Sequence, residues 1–391
     1  MLGSALSGFA MSLLVLDYTN STFLFALYNV LYMVPHAVAP ALSGPFLDRF
    51  SRKKTIYALD FISAGVYTAV AVVLARGWFS FAVLAAVAVV IGTIDSVYRV
   101  AYESFYPLLI TEGNFSKAYS IASTLETLTM VMLPISALIY NRFGIVPLFI
   151  ADAISYFIAA TFETHIAARE DHAEKKKTEF NQIETFRFWQ DLKEGIQYLW
   201  SEKGLLAVAV YFTVSTFGGG VTDAVSLPYF KDTFTNGEYT FMLVWGMTAV
   251  GRAIGGGLHY KKKLPSKKKY AIALIVYITI SLLEGVYLYC AIPVMMAMCF
   301  ATGILGVTSY TIRISATQQY VPDEKRGRFN GAFGTLTTIG STIGQLAAGA
   351  IAEFLPIRGI VSATMGICIV AALVCIGGHS RQISTIYNIE D

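Results

Sequence analysis

The sequence predicts an all-helical membrane protein whose twelve transmembrane helices form two parallel, pseudo-repeated six-helix bundles. Three observations carry this. Hydrophobic residues make up 55% of the 391 and charged residues only 14%, whereas a soluble domain carries about 25% charge. A spanning helix needs about 20 mostly apolar residues, so twelve fit the length and leave short loops and one linker. Two polar loops also recur between apolar segments at an offset of 211 residues, Gly44 to Lys54 and Gly255 to Lys263. The same offset carries Gly92 onto Gly303, and the charged stretch Glu112 to Lys117 onto Asp323 to Arg328. A parallel repeat of membrane helices is the plan of a transporter that rocks one half against the other.

Each span is an apolar run closed by a charged or polar loop. The first covers 1–17 and ends at Asp17; it lacks a basic leader or cleavage pattern, so no removable signal peptide is expected, and it is short for a span. The second, 22–46, ends at the Gly44 loop, from which the third, 55–75, runs to Arg76. The fourth covers 78–106; the fifth, 116–140, lies between Lys117 and Arg142, and the sixth, 145–165, runs into the linker. The second half repeats the order: 203–230 up to Lys231, 239–260 up to the lysines at 261–263, 270–290, 292–314, 328–354 after the charged stretch, and 357–378 beyond Leu355. The domains are therefore 1–165, a linker 166–202, and 203–391.

Alternate loops hold 22 lysines and arginines on one side and 4 on the other, an excess that places both termini and the linker in the cytoplasm of a multi-pass plasma-membrane protein. The net charge of +3 thus reads as orientation, and no nucleic-acid partner is expected. Cys290, Cys299, Cys368 and Cys375 lie in apolar stretches without CxxC spacing, which excludes a metal knuckle or a disulfide framework. In the linker a charged run at Arg169 to Lys177 precedes an amphipathic stripe of Ile183, Phe186, Trp189, Leu192, Ile196 and Leu199. That helix is expected on the membrane surface, or as a partner-binding element.

The loop Gly44-Pro45-Phe46-Leu47-Asp48-Arg49-Phe50-Ser51-Arg52-Lys53-Lys54 resembles the signature loop of the major facilitator superfamily, with Gly44, Asp48, Arg49, Arg52 and Lys53 matching and Ser51 where many members carry glycine. Asp191-Leu192-Lys193-Glu194-Gly195-Ile196-Gln197-Tyr198-Leu199 and Val321-Pro322-Asp323-Glu324-Lys325-Arg326-Gly327-Arg328 resemble the macrolide-efflux branch. The resemblance covers essentially the whole chain and implies the major facilitator fold and proton-driven efflux. Of the glycine-and-proline-rich motif usual in the fifth helix of proton antiporters, only Pro134, Ser136 and Ala137 remain. In this fold Asp48 is expected to accept hydrogen bonds from the helix N-terminus near Gly327, forming a latch. Arg49 or Arg52 can pair with Glu103; alternatively, the cluster through Lys54 only fixes topology.

Ionisable groups at mid-depth cost roughly 2.5 to 3.5 kcal/mol each and are candidates for function. On the fourth span Asp95, Tyr98, Arg99, Tyr102, Glu103 and Tyr106 fall within an arc of about 140°, a seam expected to face the central cavity. Asp95 and Glu103 then exchange protons or bind a cationic cargo while Arg99 holds their charge, or the three form a structural network. Glu126, Asp223, Arg252 and Arg313 are further candidates, and the Gly218-Gly219-Gly220 run before Asp223 is expected to loosen packing and hinge the seventh span. Glu284, Asp60, Asp152 and Glu163 are expected at solvated or snorkelling positions near the interfaces. Tyr98, Tyr102 and Tyr310 suit stacking on a bulky cargo, or core packing.

The expected function is secondary efflux of an amphipathic, drug- or macrolide-like molecule by a monomer, with the proton as coupling ion and no cofactor. A lysolipid flippase is the alternative. His36, His165, His172, His259 and His379 form no metal-ligand spacing and no Walker sequence is present, which argues against an enzyme or an ATP-driven pump.

Overall fold

A computed structural model describes residues 2–47, 51–110, 132, 135–166, 193–261 and 264–388. The described residues are helical, with no strand among them. The chain divides into two compact units, Met1–Phe186 and Arg187–Asp391.

Unit 1 contains α1 (Leu2–Thr19), α2 (Thr22–Leu47), α3 (Arg52–Ala75), α4 (Phe81–Phe105), α5 (helical at 135–143) and α6 (Val146–Thr164). Unit 2 opens with α7 (193–201), followed by α8 (Lys203–Thr233), α9 (Gly237–Lys261), α10 (Lys269–Val286), α11 (Ile292–Tyr320), α12 (Asp323–Ala352), α13 (Ile357–Ala371, extended to Gly377 by a π turn) and α14 (Ser380–Tyr387). Helical backbone is described in each of the twelve intervals read from the sequence; most of the fifth lies outside the described residues. Eight of the described helices are long and apolar enough to cross a bilayer, and the protein is an integral, multi-pass membrane protein.

The repeat is visible in which helices touch. In unit 1, α2 packs on α4 and α3 on α6; in unit 2, the corresponding α9 packs on α11 and α10 on α13, and α8 lies along α12. Gly92 and Gly303, paired by the 211-residue offset, do the same work. A Cβ on Gly92 would sit 2.2 Å from the Tyr32 carbonyl oxygen of α2, and one on Gly303 would sit 2.3 Å from the Thr248 carbonyl oxygen of α9. In both halves a glycine brings second and fourth helices into backbone contact.

Three expectations are corrected. The tenth span was expected to stop at 314 and the eleventh to start at 328, but α11 continues to Tyr320 and α12 begins at Asp323. Pro322 holds the extended break between them, and the residue before a proline is disfavoured in the α conformation. Asp323 and Glu324 then form the first turn of α12. Gly327, expected at the helix N-terminus, lies in the second turn. The glycine run of α8 also differs: the helix is continuous through 218–220, and a Cβ on Gly220 would meet the Ser341 carbonyl oxygen of α12 at 2.1 Å. The run tightens the α8–α12 contact instead of loosening it.

The amphipathic linker helix is seen only from 193; Ile183, Phe186, Trp189 and Leu192 lie outside the described residues. Its described part docks on unit 2. Leu199 is buried in the core of α8, α10, α11, α12 and α14 side chains, with Ile196 packed against it. Glu194 accepts from Arg328 Nη1 at 2.7 Å, a Cβ on Gly195 would lie 2.2 Å from the Arg328 carbonyl oxygen, and Lys325 Nζ sits 4.7 Å over the Tyr198 ring. The two motifs that carried the branch resemblance are thus one contact. Reversing one charge with Arg328→Glu is expected to raise susceptibility of α7 to protease, with restoration by Glu194→Arg; equal susceptibility in both variants would contradict the pairing. The pair is partly exposed, so its own contribution is about 1 kcal/mol or less.

α14, beyond the last expected span, folds back on unit 2. Ile383, Ile386 and Tyr387 are buried, and the Tyr387 and Tyr277 hydroxyls lie 3.1 Å apart.

Candidate functional site

In unit 1 a cavity of about 270 Å³ lies among α1, α2, α3 and α4, lined by Ser7, Ser12, Asn29, Tyr32, Tyr67 and Asp95, with apolar side chains between them. Asp95 sits near the middle of α4, where it accepts a hydrogen bond from the Tyr32 hydroxyl of α2 at 2.7 Å. Tyr32 is placed by the close approach at Gly92, one turn before Asp95, and His36 follows it on α2 with ring centroids 5.2 Å apart. Ser12 of α1 donates to Asn29 Oδ1 of α2 at 3.2 Å across the same cavity.

The single polar seam expected on α4 divides three ways. Asp95 turns to Tyr32. Tyr98 donates to Glu163 Oε1 of α6 at 3.4 Å. Arg99 pairs with Glu103 of its own helix at 3.2 Å, with side chains 69% and 66% exposed, so Arg99 serves Glu103 and not Asp95. Tyr98, Tyr102 and Tyr106 form a stacked ladder, with centroids 6.2 and 5.2 Å apart.

Two of the carboxyls expected at solvated positions near the interfaces are buried. Asp60 is 3% exposed and Asp152 1%. Asp152 accepts from Ser7 of α1 and, at 3.2 Å, from Ser155. Glu163 Oε2 of α6 is buried without a partner among the described residues. What hid these contacts is sequence distance: Ser7 and Asp152 are 145 residues apart. Ser7→Ala removes one donor from a buried carboxylate and is expected to destabilise unit 1 by about 1 to 3 kcal/mol; an unchanged thermal midpoint would show the bond to be unimportant.

Of the signature loop, Asp48 and Arg49 lie outside the described residues and Gly44 is in the last turn of α2. Ser51, where many family members carry glycine, is the N-cap of α3: its hydroxyl accepts from the Lys54 amide at 3.2 Å. Arg52 opens α3, and Lys53 Nζ donates to the Thr164 carbonyl at the C-terminus of α6, 2.8 Å away, where a cation is favoured by the helix dipole. Glu126 lies outside the described residues, as does Pro134.

In unit 2 Asp223 is exposed on α8, although the residues on both sides of it are buried. Arg313 of α11 lies 5.1, 5.6 and 4.7 Å from the ring centroids of Phe212, Tyr310 and Phe333, an aromatic cradle that spreads its charge. Tyr310 itself is 59% exposed. Arg252 is exposed on α9. Glu284, expected near an interface, lines a second cavity among α8, α9, α10 and α11. Among the described residues no group of three His, Cys, Asp or Glu is arranged to hold a metal ion.

The model of the Major Facilitator Superfamily matches residues 1–283 and 275–385. Macrolide efflux protein A of Streptococcus pyogenes is 23% identical over 392 aligned positions, covering 96% of this chain and 92% of that protein. Macrolide efflux protein A of Enterococcus faecalis is also 23% identical, covering 81% of this chain and 97% of its own length. Among solved structures, a mutant form of the nucleoside transporter NupG superposes with a TM-score of 0.69 at 12% identity, covering 97% of this chain and 95% of that one.

Proposed function

Because the chain belongs to the Major Facilitator Superfamily, we propose that it is a secondary active transporter that exports amphipathic, drug- or macrolide-like small molecules by alternating access, driven by returning protons. Transport across a membrane follows from the family. The direction and the class of cargo are supported by the two macrolide efflux proteins, which align along most of the chain.

Asp95 carries the proton-coupled reading. An ionisable carboxyl in the middle of a span is costly, and this one is set on the wall of a cavity, where Tyr32 is its donor among the described residues. As a carboxylate it accepts a charge-assisted bond from Tyr32; once protonated it keeps only a neutral bond, about half as strong. Its charge state therefore alters the bond between α2 and α4 at their tightest approach. We assign Asp95 as the proton carrier, with Tyr98, Tyr102 and the Arg99–Glu103 pair beside it. Glu126, Asp223, Tyr310 and Arg313 complete the proposed proton and cargo positions, with Arg313 suited to polar or anionic cargo groups. Gly44, Asp48, Arg49, Arg52, Lys53 and Glu103 form the proposed gate.

The cation bias supports a plasma-membrane protein with both termini in the cytoplasm, and the helix plan repeated in both halves supports a monomer that needs neither a cofactor nor a catalytic centre. The test is purified protein in vesicles with an imposed pH gradient. Dye or macrolide movement that ceases when the gradient is collapsed is expected. Gradient-independent movement of labelled lysolipid would replace the reading with a lipid flippase.

A further inference from the structure

The cavity in unit 2 is small, with a few polar side chains set in a mostly apolar wall. Its volume is about 70 Å³, room for a few waters at about 10 to 15 Å³ each and far below the roughly 300 Å³ at which drug-sized pockets begin. Thr222 of α8, Trp245 of α9, Glu284 of α10, Tyr287 just past the end of α10, and Cys299 and Thr302 of α11 line it.

The chemistry of this lining is one-sided. The Thr222 hydroxyl donates to the Gly218 carbonyl at 3.1 Å and the Thr302 hydroxyl to the Cys299 carbonyl at 2.9 Å, so both present lone pairs to the cavity. Glu284 adds a carboxylate that no donor or cation contacts among the described residues. The titratable groups around it are Asp223 and Tyr211 of α8, Tyr287 just past the end of its own helix, Cys299 of α11 and Cys368 of α13. None of these carries positive charge. Trp245 Nε1 is buried and without a partner among the described residues, a donor that a water molecule would satisfy. A carboxylate on a cavity wall among hydroxyl acceptors, with no cation beside it among the described residues, lacks a positive charge.

We propose that this cavity is a small-cation site, in which Glu284 supplies the charge, Thr222 and Thr302 supply oxygen ligands, and Trp245 holds the cation's water. The ligand is a proton carried on water or a hydrated sodium ion. The site deepens the coupled-transport reading by giving unit 2 its own coupling position, and it rests on that reading only for its role in transport.

Binding is read without transport. The full chain has four tryptophans, so the difference between wild type and Trp245→Phe isolates the Trp245 fluorescence. One arm titrates pH at constant salt; the other titrates sodium chloride against choline chloride at constant pH. A saturable change in the pH arm alone identifies the proton, and one in the sodium arm identifies sodium. Glu284→Gln is expected to abolish the change or move its midpoint at least tenfold, while Asp95→Asn, in unit 1, leaves it in place. A Trp245 signal that responds in neither arm, or responds identically in Glu284→Gln, overturns the proposal. Should Glu284→Gln fail to fold, Thr302→Val decides: a midpoint moved at least threefold supports the site and an unmoved one overturns it. Failure of vesicle transport with this titration intact would strike the efflux reading alone.

Discussion

Asp95→Asn is expected to lower pH-driven efflux by at least about tenfold while leaving the protein inserted and monodisperse. Asparagine keeps the shape of the side chain and an oxygen that accepts from Tyr32, so the α2–α4 contact persists; the ability to take up a proton does not. Tyr32→Phe separates the two roles, because it leaves the carboxyl titratable and removes the donor 2.7 Å away. A hydrogen bond to a charged group contributes about 1.5 to 3 kcal/mol, so Tyr32→Phe should shift the pH dependence of transport without abolishing it. Initial rates in vesicles at several imposed gradients measure both. Wild-type rates in Asp95→Asn would remove this residue from the proton path.

Gly220→Val is expected to prevent stable folding of unit 2. The added Cβ would meet the Ser341 backbone oxygen at 2.1 Å, and on the facing helix a Cβ on Gly344 would meet the Phe217 oxygen at 2.1 Å. Since the obstructing atoms are main chain, relief requires α8 and α12 to separate, along what is an extended line of contact. Overpacking costs typically 1 to 3 kcal/mol, and more when backbone must move. The neighbouring Gly219 is the control: a Cβ there meets nothing within 4 Å. Gly219→Ala should be neutral or stabilising by up to about 1 kcal/mol from helix propensity. Size-exclusion profiles and thermal midpoints of both variants decide the matter; equal behaviour would mean that the close approach is not needed.

Much of the architecture could be read from the residues. Apolar length, loop charge and the 211-residue offset located the helices, because each depends on local composition, and the offset foreshadowed the matching contacts at Gly92 and Gly303. Where the reading failed, the missing quantity was a neighbour. The charged start of α12 looked like a loop until Pro322 was seen to set the break and the acidic pair to occupy the first turn. Asp60 and Asp152 were expected at solvated positions near the interfaces, but burial depends on which helix lies across from them. The α4 seam was correctly periodic, yet periodicity does not say that Tyr32 would take Asp95 and Glu163 would take Tyr98. Ser51 shows the reverse: a departure from the family pattern that local capping explains.

The clasp of Glu194, Gly195 and Tyr198 on the start of α12 has a practical corollary for cutting the gene in two. A division at 202, where the hydrophobic spans resume, would strand α7 on the wrong fragment and strip the C-terminal piece of Leu199, a fully buried side chain. A break placed upstream of Lys193 hands that piece its own lid, and two separately translated polypeptides joined at such a seam are the ones to bring together in a single host.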